Sequence, residues 1–194
     1  MVNPQGVRGP WRAGIVLDWH TVGSQLVGQN EFGHPIFETQ RTPLGELLFR
    51  FKYRADQAAL TAIVAKTVEY LGPRTRGKFD LVIPVPPSNP TRVWACRLAE
   101  EIAAGLGVPY SDSALTKIKA TGELKSVADP EIRREMLQGA FQANALEVRG
   151  KTVLIVDDLY RSGATLEAAA EAVTGVGSAR AVYVLAITRT RVNR

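Results

Sequence analysis

The sequence KTVLIVDDLYRSGATLE, from Lys151 to Glu167, decides the fold class of this chain. An apolar and mostly β-branched run, Val153 to Val156, leads directly into two adjacent carboxylates, Asp157 and Asp158. Such a run without polar alternation is typical of a strand that is buried on both faces of a parallel sheet. The alanine-rich stretch that begins at Ala164 predicts a helix after a short polar loop.

The loop between these acids and that helix contains Ser162, Gly163 and Thr165. The first turn of a helix presents unpaired N–H groups and the positive end of its dipole, which together form a site for anions. Two carboxylates beside that site suit hydroxyl groups or a hydrated cation, so the stretch predicts a pocket for a sugar phosphate. An Asp-Asp pair alone is more often an ordinary strand end before a helix, and the SGAT sequence at this offset favours the pocket.

VLIVDDLYRSGATL also resembles the phosphoribosyl-pyrophosphate (PRPP) signature of the type I phosphoribosyltransferases. In that family the paired acids contact the ribose 2- and 3-hydroxyls, and the following loop wraps the 5-phosphate. The resemblance implies that Asp157 and Asp158 are the catalytic acids, which bind the ribose of PRPP. It implies a phosphate loop made of Arg161, Ser162, Gly163, Ala164 and Thr165. Many members have two threonines where this chain has Arg161-Ser162, and Ser162 keeps the hydroxyl.

Composition places the chain among globular proteins and excludes several other classes. With 194 residues, of which 45% are hydrophobic and 22% charged, it predicts one domain, or one domain with a small extension. There is no run of about 18 apolar residues, so no membrane span is predicted, and the N-terminus lacks the apolar core of a signal peptide. Cys96 is the single cysteine, and His20 and His34 stand apart, so no disulfide and no direct metal site are predicted. We expect a cytoplasmic protein.

The positive charge of the chain favours a polyanionic partner. The net charge is +5 and the pI is near 9.6, and positive residues concentrate at 52–54, at 74–78 and in the C-terminal RTRVNR. A PRPP-like ligand, RNA and DNA would all suit such a surface. Two interpretations stay open, namely a nucleic-acid surface and a charge that gives solubility and steers a phosphorylated substrate.

Residues 1–72 are predicted to form an N-terminal extension, a hairpin plus helices, that packs on the core. Weak alternation around Ile15, together with turn residues in QNEFGHP, predicts a β-hairpin or a small antiparallel unit in the first forty residues. Thr42-Pro43 supplies an N-cap and a first-turn proline for a short helix. A second helix is predicted from Gln57 to Leu71, with Gly72-Pro73 as its end.

Residues 73–194 are predicted to form the main domain. FDLVIPV, residues 79–85, is predicted as a buried strand, and Asn89 and Pro90 are expected to start the helix after it. The signature strand, its helix and a final strand at 181–187 complete an alternation that predicts an α/β fold with a mostly parallel sheet flanked by helices. Ligands in such sheets bind beyond the carboxyl ends of the strands.

The loop PPSNP, residues 86–90, follows the first strand of this domain. In type I phosphoribosyltransferases the loop at this place binds pyrophosphate, and the resemblance implies the same role here. Short donor side chains, stiff prolines and the N-terminus of the next helix suit an anion. The residues assigned to this pyrophosphate loop are Pro87, Ser88, Asn89 and Arg92. A plain strand-to-helix connection is the alternative interpretation.

A long polar segment, Lys117 to Phe141, precedes the signature strand. Inside a compact α/β domain such a segment is usually a functional lid or a disordered loop. We interpret it as a lid that closes over pyrophosphate and excludes water. The basic residues assigned to the lid are Lys117, Lys119, Lys125 and Arg133. DPEIRREML, residues 129–137, also suits a short helix capped by Asp129, on which Arg133 would face solvent.

Three further pieces resemble the ComF-type, competence-associated phosphoribosyltransferase-like proteins. They are LGELLFRFKYRAD, the strand ending in PVP, and the LKS…R…M…GAF run before the signature, and the resemblance covers roughly residues 42–190. ComF-type proteins commonly begin with a cysteine zinc module, which this chain lacks. The basic stretch that usually follows PVP is replaced by the less charged PSNPTRVW.

These resemblances imply two functions from different classes. The first is Mg²⁺-dependent transfer of a phosphoribosyl group from PRPP to an unidentified base or amine, with release of pyrophosphate. Mg²⁺ would be held through substrate oxygens rather than by a direct protein site. The alternative is a non-catalytic PRPP or nucleotide sensor that acts with single-stranded nucleic acid, or with a DNA-processing protein, in DNA uptake, recombination or repair. The N-terminal extension is a candidate interface for a homodimer.

Overall fold

The computed structural model describes residues 2–89, 91, 93–119 and 129–190, and of Phe37, Pro130 and Arg133 it describes the backbone alone. In chain order the elements are β1 (Gln5–Val7), β2 (Ala13–Trp19), β3 (Thr21–Gln29), β4 (Pro35–Arg41), α1 (Pro43–Arg54), α2 (Gln57–Thr75), β5 (Leu81–Pro84), α3 (Trp94–Leu106), β6 (Leu115–Lys117), α4 (Pro130–Leu137), β7 (Phe141–Ala143), α5 (Ala145–Val148), β8 (Thr152–Tyr160), α6 (Ala164–Thr174) and β9 (Ala181–Arg189).

A five-stranded sheet forms the centre of the molecule, with the strand order β1-β2-β9-β8-β5. The pairs β2–β9, β9–β8 and β8–β5 are parallel, and β1 pairs antiparallel with β2 at one edge. The run from Thr152 to Val156 is buried without interruption, as expected for a central parallel strand. The predicted α/β fold with a mostly parallel sheet is confirmed.

Helices cover both faces of this sheet. α1, α2 and α3 pack on one face, where they bury Leu154 and Val156 of β8. α6, α4 and the ribbon formed by β6 and β7 cover the other face, where Val153 and Ile155 are buried. Because successive side chains of a strand point to opposite faces, β8 carries one row of side chains into each core.

The N-terminal segment contributes to two different sheets. The predicted hairpin is present as β3 and β4, which pair antiparallel over residues 21–41. The segment around Ile15 does not belong to it, because β2 pairs in parallel with β9 inside the central sheet. Val16 and Leu17 are both 0% exposed, and a strand buried on both faces needs strands and helices around it that a small antiparallel unit lacks. The division of the chain at residue 72 stays a prediction.

The helices of the N-terminal half begin as predicted, but α2 ends later. Thr42 caps α1 by accepting a hydrogen bond from the Gly45 N–H at 3.0 Å. α2 runs through Gly72-Pro73 as far as Thr75, because a proline in the last turn removes only one N–H donor. Side chains of that turn also donate to backbone carbonyls of the preceding turn. None of the described helices has the length and apolar character that crossing a membrane requires.

The predicted start of α3 is wrong by several residues. The helix begins at Trp94 rather than after Asn89. The Asn89 side-chain oxygen accepts from the N–H and the hydroxyl of Thr91, at 3.0 and 2.9 Å. Asparagine forms such local turns as readily as it caps helices, so Asn89 closes a turn within the loop and leaves the helix to begin later.

Candidate functional site

Polar side chains meet at the carboxyl edge of the parallel strands. Asp157 and Asp158 lie near the end of β8, which continues past them to Tyr160. Ser88 follows β5, and His20 follows β2. This edge is where open α/β sheets bind ligands.

The two acids point toward different layers of the molecule. Asp157 continues the row of β8 side chains that faces α6, whereas Asp158 continues the row that faces α1. The Nζ atom of Lys52, in the last turn of α1, lies 2.6 Å from Asp158 Oδ2. The Asp158 N–H donates to Asp157 Oδ1 at 2.8 Å. Both carboxylates are therefore held in place before any ligand binds.

Burial raises the pKa of Asp157 to about 7, and the negative charge of Asp158 acts in the same direction. The positive charge of Lys52 opposes this rise in the pKa of Asp157. Near neutral pH the Asp157 carboxyl is thus close to half ionised. It can accept a hydrogen bond from a hydroxyl when ionised, and can donate one when protonated.

The loop that follows β8 forms a cavity of about 150 Å³ together with Asp157. All five residues of the predicted phosphate loop, residues 161–165, line this cavity. Arg161 is exposed, whereas Gly163 and Ala164 are buried. In the described part of the chain no side chain caps the start of α6, so its first N–H groups are open to an anion. The cavity therefore combines a carboxyl group with a row of N–H donors.

Gly163 permits the turn from this loop into α6. Its φ is +90°, and a Cβ there would lie 2.5 Å from the Tyr160 hydroxyl. We expect Gly163→Ala to weaken binding of inorganic phosphate by about tenfold or more, since strain of this kind costs about 1–3 kcal/mol and is relieved by moving the loop. Isothermal titration calorimetry with phosphate measures the change.

Gly139→Ala is the matched control for this prediction. Gly139 also has a positive φ, +64°, but apart from its chain neighbours no atom of the described residues lies within 4 Å of an added Cβ. The control should lose some stability and keep its phosphate affinity. Equal phosphate affinity in both variants would contradict the assignment of the loop.

Among the described residues, the predicted pyrophosphate loop and the predicted lid are in contact. Lys117 Nζ donates to Ser88 Oγ at 2.7 Å, and burial lowers the pKa of Lys117. Pro87 is half-buried, Asn89 is used in the turn described above, and Lys119 is exposed. Arg92 and Lys125 lie outside the described residues, as does the side chain of Arg133, whose backbone is part of α4.

The end of the predicted lid is the helix α4. Asp129 accepts from the Glu131 N–H at 2.8 Å, which confirms the predicted N-cap. Arg134 is half exposed and pairs with Glu167 of α6 at 3.0 Å, and Leu137 is buried against the cavity. This end of the segment is therefore packed on α6. Closure over a ligand stays a prediction for the part that precedes α4.

Sequence reasoning missed the residues that reach this edge from other elements. Lys52 lies 106 residues from Asp158 in the sequence. The local sequence shows only that Lys52 follows Phe51, a buried residue of α1. The guanidinium carbon of Arg189 lies 4.8 Å from the ring centroid of Trp19 and 5.5 Å from that of Tyr160. Neither arrangement can be read from local periodicity, because each depends on which strands are neighbours.

His20 lies beside the same acids. Its Nδ1 is 3.0 Å from the Thr188 hydroxyl. Burial lowers the pKa of His20, and the positive charges of Arg41 and Lys52 lower it further. His20 is therefore mainly neutral at pH 7, and can hydrogen bond without adding charge to the site.

The chain matches a protein-family model, a curated enzyme and several solved structures. A protein-family model described as "Phosphoribosyl transferase domain" matches residues 58–191. Amidophosphoribosyltransferase of Escherichia coli (strain K12) is 34% identical over 105 residues, a match that covers 54% of this chain and 19% of that enzyme.

Solved structures show likeness of fold at low sequence identity. A crystal structure of adenine phosphoribosyltransferase matches with a TM-score of 0.50 and 15% identity, over 88% of this chain and 86% of that one. Glutamine PRPP amidotransferase from B. subtilis, complexed with ADP and GMP, matches with a TM-score of 0.48 and 19% identity, over 89% of this chain and 36% of that one.

Proposed function

Since the chain belongs to the phosphoribosyl transferase domain family, we propose that it is a phosphoribosyltransferase that binds PRPP at the carboxyl edge of its sheet. The observation that carries this proposal is that Asp157 and the whole loop 161–165 line one cavity at the start of α6. The cavity joins a hydroxyl-binding group to a row of backbone N–H donors. A ribose 5-phosphate requires this combination.

In this proposal the ribose and its phosphate occupy adjoining parts of the site. Asp157 and Asp158 bind the 2- and 3-hydroxyls. The backbone N–H groups of the loop, with the hydroxyls of Ser162 and Thr165, bind the 5-phosphate, and Arg161 adds positive charge at the rim. Anchoring the phosphate holds the ribose C1 in place for reaction, so that binding energy is used for positioning.

The pyrophosphate group would bind between the loop after β5 and the lid. Ser88 Oγ and Lys117 Nζ are 2.7 Å apart, so one anion can contact both. A bound anion would favour the charged form of Lys117 and offset the effect of its burial. Pro87 and Asn89 keep this loop in shape, and Arg92, Lys119, Lys125 and Arg133 remain contributors proposed on sequence alone.

We propose Mg²⁺ as the cofactor, held by oxygens of PRPP and by water. Within residues 2–89, 91, 93–119 and 129–190, no group of three or more His, Cys, Asp or Glu side chains could hold a metal ion. Two adjacent carboxylates, one of them already paired with Lys52, fit a cation that arrives bound to its substrate. When bound, Mg²⁺ would neutralise negative charge on the leaving pyrophosphate.

The reaction would transfer the phosphoribosyl group from pyrophosphate to a nitrogen nucleophile. The bond between C1 and the pyrophosphate oxygen breaks and its electron pair leaves with pyrophosphate, while positive charge develops on the ribose. A nitrogen of an unidentified base or amine forms the new bond to C1 and releases its proton to water or to the departing pyrophosphate. The carboxylates of Asp157 and Asp158 are close enough to the ribose in this pose to stabilise that charge. The protein therefore acts by positioning and electrostatics rather than by covalent catalysis.

The proposal extends to the branch of the family. The segment LGELLFRFKYRAD, the strand ending in PVP and the run before the signature support a ComF-type protein. The first of these segments makes up almost all of α1. A role in competence would require a nucleic-acid or DNA-processing partner, and binding of single-stranded DNA in addition to PRPP would support it.

Calorimetric titration with PRPP, with and without Mg²⁺, tests the proposed function. We expect a roughly micromolar dissociation constant that depends on the metal, with ribose 5-phosphate binding more weakly because it lacks pyrophosphate. A screen of bases and amines for pyrophosphate release then identifies the acceptor. Absence of PRPP binding, together with salt-dependent binding of single-stranded DNA, would contradict the proposal and favour the non-catalytic alternative.

A further inference from the structure

An ion pair links the N-terminal half of the chain to the paired acids. Lys52 Nζ lies 2.6 Å from Asp158 Oδ2, and each side chain is only 17% exposed. The match to the family model begins at residue 58. Lys52 precedes the residues that this model matches, yet it contacts one of the two acids directly.

The geometry of α1 fixes the direction in which Lys52 points. The Thr42 hydroxyl donates to the Trp19 carbonyl oxygen at 2.6 Å, which ties the start of the helix to the end of β2. Toward its other end, Phe51 is buried against Trp94 of α3, with ring centroids 5.8 Å apart. Because both ends of α1 are anchored, the Lys52 side chain crosses to β8 from a rigid support.

The charges around Asp158 make Lys52 its direct counter-ion. Asp157 adds a negative charge on the neighbouring residue of β8. His20, after β2, is mainly neutral for the reasons given above, and Arg41, at the end of β4, pairs with a carboxylate of α1 at 3.5 Å. Lys52 is thus the described cation that makes a hydrogen-bonded ion pair with this pair of acids.

We propose that Lys52 is a positioning residue of the ribose subsite. It holds the Asp158 carboxylate in place, and supplies the positive charge that lets two adjacent acids be ionised together when they bind the ribose hydroxyls. This inference rests on the proposed function for the identity of the ligand. The contact on which it stands is independent of that function.

Removal of the Lys52 charge should act on ligand binding through Asp157. The positive charge of Lys52 favours the ionised form of Asp157, so Lys52→Met raises the pKa of Asp157 further. A higher pKa of Asp157 lowers the ionised fraction of its carboxyl at pH 7. We therefore expect PRPP affinity at pH 7 to fall by about fivefold, and to recover at pH 9, where Asp157 ionises in both proteins.

The experiment compares three variants with the wild-type protein. PRPP affinity with Mg²⁺ is measured by calorimetry at pH 7 and pH 9 for Lys52→Met, Lys52→Arg and Lys66→Met. Arginine keeps the positive charge and should restore most of the affinity. Lys66 lies on α2, and its replacement removes the same charge elsewhere. Circular dichroism establishes that each variant is folded.

A second measurement needs no ligand. Carbon-13 NMR of carboxyl-labelled aspartate follows the titration of Asp157, whose pKa should rise in Lys52→Met and not in Lys66→Met. If Lys52→Met loses the same PRPP affinity at pH 7 and at pH 9, Lys52 has only a structural role and the proposal is wrong. An unchanged titration of Asp157 in Lys52→Met would also overturn the proposal. If the wild-type protein fails to bind PRPP, the proposed function is wrong, and the NMR titration alone decides whether Lys52 controls the acids.

Discussion

Replacing both acids, Asp157→Asn with Asp158→Asn, is expected to abolish PRPP binding while the protein stays folded. Hydrogen bonds from hydroxyls to carboxylates contribute about 1.5–3 kcal/mol each, so the loss of two should weaken binding by about a hundredfold or more. Asparagine has nearly the same size as aspartate, and its side-chain oxygen can still accept the Asp158 N–H bond now made by Asp157 Oδ1. Calorimetry with PRPP and Mg²⁺ measures the loss.

The control for the double variant is Asp112→Asn, which changes an exposed aspartate that does not line the cavity. It should bind PRPP as the wild-type protein does. A double variant with unchanged affinity would exclude these acids from the site. An unfolded double variant would be uninformative about binding, and in that case Asp157→Asn alone takes its place.

Asp157→Asn alone is expected to make the protein more stable at alkaline pH, although it impairs binding. The pKa of Asp157 is 3.8 as a free side chain and about 7 in the folded protein, so the folded state binds this proton more tightly than the unfolded state. The stability that protonation provides is therefore lost as the pH rises through about 7. Between pH 5 and pH 8 the wild-type protein should lose about 2–3 kcal/mol from this group, and the variant should not.

Denaturant unfolding at pH 5 and pH 8 measures this difference between the two proteins. Titrating groups far from Asp157 affect both proteins alike, so the comparison reports Asp157 together with its direct neighbour Asp158. Asp112→Asn should follow the wild-type curve. If the free energy of unfolding changes equally with pH in the wild-type protein and in Asp157→Asn, ionisation of Asp157 does not destabilise the fold and the prediction is wrong. A loss of stability in the wild-type protein alone would show that Asp157 lowers the stability of the fold when it ionises, although ligand binding uses it.

The strand and loop of the site could be predicted because their signals are local. The apolar run of β8 is buried on both faces as its composition indicates, and α6 begins at the predicted residue, Ala164. Gly163 has the positive φ that a tight entry into the helix uses. Each of these features depends on a few neighbouring residues, for which hydrophobic period and backbone preference are sufficient.

Predictions from local sequence were wrong where the same residue type suits two different local structures. Asn89 forms a turn with Thr91 instead of capping α3, and Pro73 lies within the last turn of α2 instead of ending the helix before it. Weak alternation around Ile15 was compatible with a hairpin, but β2 joins the central sheet beside β9. In each case packing with distant parts of the chain outweighs the local preference.

Short-range patterns were sufficient to predict the α/β class, the strand that carries the two acids and the loop that starts α6. The side chains that surround the acids follow instead from how distant elements pack. Lys52 reaches Asp158 because α1 packs against β2 and β9, and β9 is the neighbour of β8. Lys117 reaches Ser88 from the ribbon of β6 and β7. Such partners are set by the order of strands and the packing of helices on them, and no spacing along the chain encodes that order directly.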